Sequence, residues 1–189
     1  MIVWTSIKGD VPVLLAASSR GLCRLSFGGE SAFERELKAE FGEIVRKDAD
    51  TFLLKTAGQV KRYLAGSQRD FTVDLDLRGT PFQLRVWEGL RLVPYGRTCS
   101  YADLAERIGW PRHASRAIGQ ANNRNPVAII VPCHRVIAAD GTLGGYGAGL
   151  ELKERLLRLE GASFRSTPQS LARFQIRSES RARRAGAGQ

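Results

Sequence analysis

Sulfur and imidazole are scarce in this chain of 189 residues, which carries three cysteines, two histidines and one methionine. The cysteines, Cys23, Cys99 and Cys133, are odd in number and far apart. That excludes a disulfide framework and points to a reducing cytoplasm. The opening "MIVWTSIKGDVPVLL" lacks the charged, apolar and small-residue succession of a secretory leader. No apolar run approaches the length of a membrane span, so no membrane partner is expected. Metal binding is disfavoured as well, because Cys133 and His134 are adjacent rather than spaced as zinc ligands are, and His113 with two distant cysteines completes the soft ligands. The expectation is a site with no metal and no cofactor.

An apolar share of 43% is enough, at this length, for one large or two small domains with a core that needs no staples. The net charge of +10 is unevenly placed. Residues 1–78 hold 12 Lys and Arg against 11 Asp and Glu, residues 79–163 hold 11 against 7, and the segment from Phe164 holds 6 against 1. Basicity gathered in the second half suits a polyanion met by that half, since phosphate neutralisation supplies most non-specific affinity for nucleic acid. A generally basic proteome would give the same surplus.

The first half alternates strand and helix signals. "VPVLLAAS" and "LCRLSF" around "SRG" predict a hairpin; "SAFERELKAEFG" predicts a helix with Ser31 and Glu34 as a capping box and Gly42 as its stop. A longer helix is expected from about Thr51 to Ala65, and "FTVDLDL" alternates like a half-buried strand. Without a histidine or a suggestive carboxylate pair, this half reads as scaffold. The second half is mostly helical. In "TPFQLRVWEGLRLV", Thr80 is the N-cap, Pro81 the first helical residue and Gln83 the capping-box partner, with Phe82, Val86, Leu90 and Val93 on one face. "SYADLAERIG" carries a second capping box, Ser100 and Asp103, and "HASRAIGQANN" follows the break "GWPR". Two short helices around a glycine-containing turn match a helix-turn-helix, as many helical hairpins do. From Phe164 onward the chain reads as a disordered basic tail.

The stretch "NPVAIIVPCHRVIAADGTLGGYGAG" carries the chemistry. "VAIIV" predicts a buried extended segment that Pro132 ends, placing Cys133 at the edge of the core. A buried structural thiol is the bland alternative, but His134 and Arg135 beside it favour a nucleophile. A free thiol is less than roughly a tenth ionised near neutral pH, so a base must take its proton. Adjacent side chains on extended chain point apart, so a water between Cys133 and His134 is more plausible than a direct bond, with a carboxylate on the other ring nitrogen. Glu160 ends the helix "LELKERLLRLEG", where the helix dipole opposes a negative charge, which argues for a specific partner. "GTLGGYGAG" lacks the dinucleotide-binding register and better fits a pocket wall against a flat ligand, with Tyr146 as its aromatic.

The runs "IIVPCHRV", "FQLRVWEGLRLVPYGRTCSYADLA", "SRAIGQANNRNP" and "DGTLGGYGAGLELKERLLRLEG" together resemble the O6-alkylguanine-DNA alkyltransferases, over about Gly79 to Gly161. The resemblance implies an α+β fold, with a small N-terminal sheet and helices in a ribonuclease H-like scaffold (1–78), then a mainly helical, winged-helix-like domain (79–163) and the tail (164–189). It implies that Cys133 accepts the alkyl group, His134 is the water-mediated base, Glu160 orients His134, and Asn125 orders the thiol. Tyr101 would press on a phosphate to turn the target nucleotide, and Arg116 would fill the stack in place of the extruded base. Ala114, Ser115, Ala117 and Gly119 make a small surface that can approach a narrow groove, and Arg135 joins this DNA-contacting set. Tyr146, Gly147 and Ala148 would line the base pocket. The partner is double-stranded DNA containing alkylated guanine, met as a monomer, with O4-alkylthymine a second substrate.

Three departures matter. Cys23 stands alone in the first half, so neither the zinc site of some animal relatives nor the Cys-rich domain of inducible bacterial regulators is expected. Ala148 occupies a variable pocket position, and its small side chain predicts tolerance of adducts larger than methyl. The Arg-rich tail is expected to raise non-specific DNA affinity. A damage sensor without chemistry and a cysteine hydrolase are the rival readings; the first should lack the acceptor thiol, and the second should bring its histidine from a distant segment.

Overall fold

The computed structural model describes residues 1–9 and 12–166. Strand β1 (Ile2–Ile7) is followed by the hairpin of β2 (Val13–Ser18) and β3 (Gly21–Phe27), helix α1 (Glu30–Phe41), strand β4 (Ile44–Arg46) and helix α2 (Thr51–Leu64). The sheet runs β3-β2-β1-β4, antiparallel except for β4 beside β1. β2 is buried on both faces, and alternation divides its side chains between them. Leu14 and Ala16 join Ile2, Trp4 and Cys23 beneath Phe33 and Leu37 of α1. Val13, Leu15 and Ala17 turn the other way, onto Leu53, Ala57 and Val60 of α2.

The hairpin closes at Gly21 with φ +142°, where a Cβ would meet the Asp74 carbonyl oxygen at 2.5 Å. That close approach is also where "FTVDLDL" touches the sheet. The segment is extended but pairs only through the bridge between Leu22 and Leu75, so it forms no full strand. α1 departs from expectation at its start. Gly29, which has no side chain to offer a bond, is the N-cap, and the helix already includes Ser31, which therefore cannot cap it. Gly42, with φ +77°, ends it as expected.

Helix α3 (Pro81–Arg91) has the Thr80–Gln83 capping box, and α4 (Tyr101–Arg107) has that of Ser100 and Asp103. A two-residue strand, β5 (Cys99–Ser100), precedes α4; α5 (Ser115–Asn123), β6 (Val136–Ile137) and α6 (Leu150–Leu159) follow, with β5 and β6 paired in parallel. Gly89 lets α3 and α4 touch, since a Cβ there would lie 2.4 Å from Ile108. The Trp87 indole donates to the Ala121 carbonyl at 2.9 Å, fixing α3 against α5. The largest apolar cluster draws on both halves, joining Leu15, Leu25 and Val60 to Val86, Leu90, Ile118 and Val131. No described helix is long and apolar enough to cross a membrane.

The run Val127 to Val131 is buried as expected except for the half-buried Ala128, but it is a tight turn rather than an extended segment. Ile129 sits at φ +70°, a left-handed conformation that a β-branched side chain rarely adopts. The Val131 amide closes the turn onto the Val127 carbonyl at 3.0 Å. Backbone bonds from Leu25 to Pro126 and from Ala128 to Leu25 pin the turn to β3. Packing also continues past residue 163. Phe164 rests on Ile137, Leu143 and Leu157, and the Arg165 amide donates to Gly141 at 2.7 Å, so the first residues of the expected tail are packed. Its remainder, 167–189, lies outside the described residues.

Candidate active site

Beyond the turn the chain winds into a single 3-10 turn, Cys133–Arg135, so these side chains fan out around a helical axis instead of alternating. All three are buried. Asn125 stands at the entrance and braces the whole segment. Its amide nitrogen donates to the Val131 carbonyl at 2.7 Å and lies 3.0 Å from the Cys133 sulfur, while its oxygen accepts from Val127 at 3.0 Å. Asn122 of α5, buried and not singled out from sequence, donates to the Cys133 carbonyl at 3.3 Å. Burial pushes the Cys133 thiol upward; the hydrogen bond from Asn125 and the charge of Lys153 act against it.

His134 is fully buried and turns its Nε2 to Glu160 Oε1 at 2.8 Å. Glu160 caps α6, and its carboxylate collects donors from three directions. Arg135 reaches it through Nε at 3.0 Å and Nη2 at 2.9 Å, the Gly96 amide donates at 3.0 Å, and the Tyr63 hydroxyl donates to Oε1. Burial alone would raise this carboxyl, but the His134, Arg135 and Tyr63 hydrogen bonds outweigh it and hold Glu160 at about 2. A firmly ionised Glu160 can only accept, so the shared proton sits on His134 Nε2 and Nδ1 carries the lone pair. Nδ1 is buried and has no protein partner. Burial pulls the imidazole below its ordinary value, against the raising influence of Glu160. The ring therefore rests neutral, in the form a base needs.

Arg135 does not contact the surface. Expected among the DNA-contacting residues, its guanidinium is instead buried, with Nη1 on the Val93 carbonyl at 2.6 Å and its other donors on Glu160. Taking it to a phosphate would strand both charges, which is why it stays inside.

The loop carrying Tyr146 is held by a lysine that the sequence reading passed over. Lys153 is fully buried on α6 and donates to the carbonyls of Val136, Leu143 and Gly145. Burial lowers its ammonium to about 8. It thereby ties α6 to β6 and to the loop carrying Tyr146. The Tyr146 hydroxyl is buried and within electrostatic reach of Cys133, while Gly147 and Ala148 after it are exposed. The signal for Lys153 was one Lys in an otherwise apolar stripe, Leu150, Leu156 and Leu157, of an amphipathic helix.

Tyr101, half-buried at the start of α4, packs beside Gly119 and Gly144, where a Cβ would lie 3.7 Å and 3.4 Å from its ring. Arg116 and Ala117 are exposed at the beginning of α5; Ala114, Ser115 and Gly119 are half-exposed beside them, and Ile118 is buried. The first half is more than scaffold, because Tyr63 of α2 enters the His134–Glu160 cluster.

A family model described as the DNA binding domain of 6-O-methylguanine DNA methyltransferase matches residues 81–162, and one described as its ribonuclease-like domain matches 11–77. A methylated-DNA–protein-cysteine methyltransferase of Methanosarcina acetivorans is 45% identical over 151 residues, 80% of this chain and 92% of its own length. One from Mycobacterium tuberculosis is 57% identical over 102 residues, 54% of this chain and 61% of its own. The crystal structure of the Mycobacterium tuberculosis O6-methylguanine methyltransferase superposes with a TM-score of 0.74 at 38% identity, covering 88% of this chain and 97% of that one. A structure of the same organism's OGT in complex with DNA gives 0.74 at 40% identity, over 84% and 92%.

Proposed function

This chain belongs to the 6-O-methylguanine DNA methyltransferase family, whose members act as methylated-DNA–protein-cysteine methyltransferases, and we propose that it transfers the alkyl group of O6-alkylguanine in duplex DNA to Cys133, once per molecule. The observation that carries the assignment of these residues is the 2.8 Å contact of His134 Nε2 with an ionised Glu160. It leaves Nδ1 as a buried acceptor one residue from the thiol.

The Cys133 thiol gives its proton to His134 through a water, and the sulfur attacks the alkyl carbon. An S–C bond forms as the C–O6 bond breaks, its electron pair goes to guanine, and the proton ends on guanine N1. The Asn125 amide supports the negative sulfur. The product thioether is a poor leaving group and no described residue offers a second nucleophile there, so the protein is spent. O4-alkylthymine presents the same alkyl–oxygen bond and is a second substrate.

A stacked base cannot meet a buried sulfur, so the damaged nucleotide rotates out, at a cost of a few kcal/mol that its poor pairing partly offsets. α4 and α5 serve as the helix-turn-helix. The small residues Ala114, Ser115, Ala117 and Gly119 approach the groove, Tyr101 crowds the phosphate, and Arg116 takes the vacated place in the stack. Tyr146 packs on the flipped base, and Ala148 leaves room for larger adducts. The protein does this as a monomer in the cytoplasm.

Duplex DNA carrying one O6-methylguanine tests the reading through the mass of the Cys133 peptide. One added methyl supports it. Bound but unmodified protein supports a damage sensor, and turnover of an ester or peptide supports a hydrolase.

A further inference from the structure

Tyr63 is 97 residues from Glu160 in sequence, and its hydroxyl donates to Glu160 Oε1 while lying 3.3 Å from His134 Nε2. It occupies the last turn of α2, fully buried. Its ring is set by Phe71 at 5.2 Å and by Tyr95 edge-on at 6.1 Å, and Ile129 and Leu156 complete the same apolar cluster. These contacts hold the ring whether or not it bears a hydroxyl. The hydroxyl therefore has a separable task.

We propose that Tyr63, supplied by the N-terminal half, is a positioning residue for alkyl transfer: its hydroxyl fixes Glu160 Oε1 and so sets the orientation and basicity of His134. The inference rests on the function proposed above.

The groups facing His134 define how this works. Glu160, Arg135 and Lys153 act on the ring as charges, and Tyr63 is the neutral donor beside them. Burial first, and Glu160 second, push the Tyr63 phenol upward, so it remains protonated and can only donate to the carboxylate. Donation spreads part of the Oε1 charge into the O–H bond. What remains for His134 is a weaker pull toward imidazolium, and the ring stays neutral at the pH where it must accept a proton. Arg135 acts in the same sense through both carboxylate oxygens, but it cannot choose between them. Tyr63 bonds Oε1 alone, the oxygen that holds Nε2.

Single-turnover methyl transfer from O6-methylguanine duplex DNA, followed from pH 5 to 9, reads the effect. Tyr63→Phe frees the Oε1 charge, so the acid limb of the rate profile moves up by about one unit, a loss of about tenfold on that limb that alkaline pH restores. Affinity for undamaged duplex stays within about twofold, because no DNA-facing group changes. Replacing Tyr63 by 3-fluorotyrosine, a stronger donor of nearly the same shape, moves the limb the opposite way. A structural lesion would lower the rate at every pH and would not change sign between the two replacements. An acid limb coinciding with wild type in Tyr63→Phe overturns the proposal, as does a loss that pH does not restore; if that variant fails to fold, an unmoved limb in the fluorotyrosine protein overturns it. Wild-type protein that transfers no methyl defeats the underlying reading instead.

Discussion

The amide nitrogen of Asn125 lies 3.0 Å from the sulfur of Cys133, and the same nitrogen holds the Val131 carbonyl at 2.7 Å. One side chain thus shapes the turn and stands within hydrogen-bonding distance of the sulfur that the proposed function makes the nucleophile. A hydrogen bond to a charged group contributes about 1.5–3 kcal/mol.

Asn125→Ala is therefore expected to slow transfer by about 10- to 100-fold. It should also move the alkaline rise of Cys133 alkylation by iodoacetamide to higher pH. Asn125→Asp should be slower still, since a carboxylate beside the sulfur opposes the thiolate. An unmoved pH profile in both variants would remove Asn125 from the site.

Arg116→Ala should leave thermal stability within about 0.5 kcal/mol, because the side chain is exposed. Repair of duplex DNA should fall while transfer from free O6-benzylguanine does not, since a free base needs no filling of the stack. Equal losses on both substrates would contradict the role given to Arg116. The free base also tests the tolerance attributed to Ala148.

Glu160 titrates at about 2 in the folded protein, below its ordinary value of 4.5. A carboxyl lowered by folding adds stability that is complete above pH 4.5 and is lost as pH falls toward 2. That contribution, on the order of 3 kcal/mol, should appear as a steep loss of denaturation midpoint over this window. Glu160→Gln should flatten the loss and destabilise the protein at neutral pH by about 3–5 kcal/mol, because Arg135 is left buried without its counter-ion.

Lys153 carries a charge that burial opposes, its folded value of about 8 lying below the ordinary 10.5. The sign follows from the protons bound: between pH 8 and 10.5 the unfolded chain holds more, so this group makes stability rise with pH there. Lys153→Met should abolish that rise in urea titrations. It should also slow transfer more than it weakens DNA binding, since the carbonyls of Leu143 and Gly145 lose the donor that holds the pocket loop.

Local chemistry was legible wherever neighbours in sequence are neighbours in space. The two capping boxes at Thr80 and Ser100, the hairpin at Gly21 and the stop at Gly42 all follow from the backbone's own need for donors, acceptors and left-handed glycine. Cys133 and His134 announced themselves by adjacency, and Glu160 by a charge on the wrong end of a helix. The capping box at Ser31 failed because nothing local distinguishes a cap from a residue two steps inside. The run before Cys133 failed because β-branched residues favour extension, and only its bonds to β3 and to Asn125 hold Ile129 at φ +70°.

The sequence by itself determined which short runs bring Cys133 beside His134, end a helix on Glu160 and form the helices that carry Tyr101 and Arg116, because caps, breaks and adjacency are local properties of the chain. Only the tertiary structure decided that Arg135 turns inward, that Lys153 ties down the pocket loop, and that Tyr63 reaches the His134–Glu160 pair. Buried charges and donors settle where partners from distant segments converge, and no pattern within a single segment encodes that meeting.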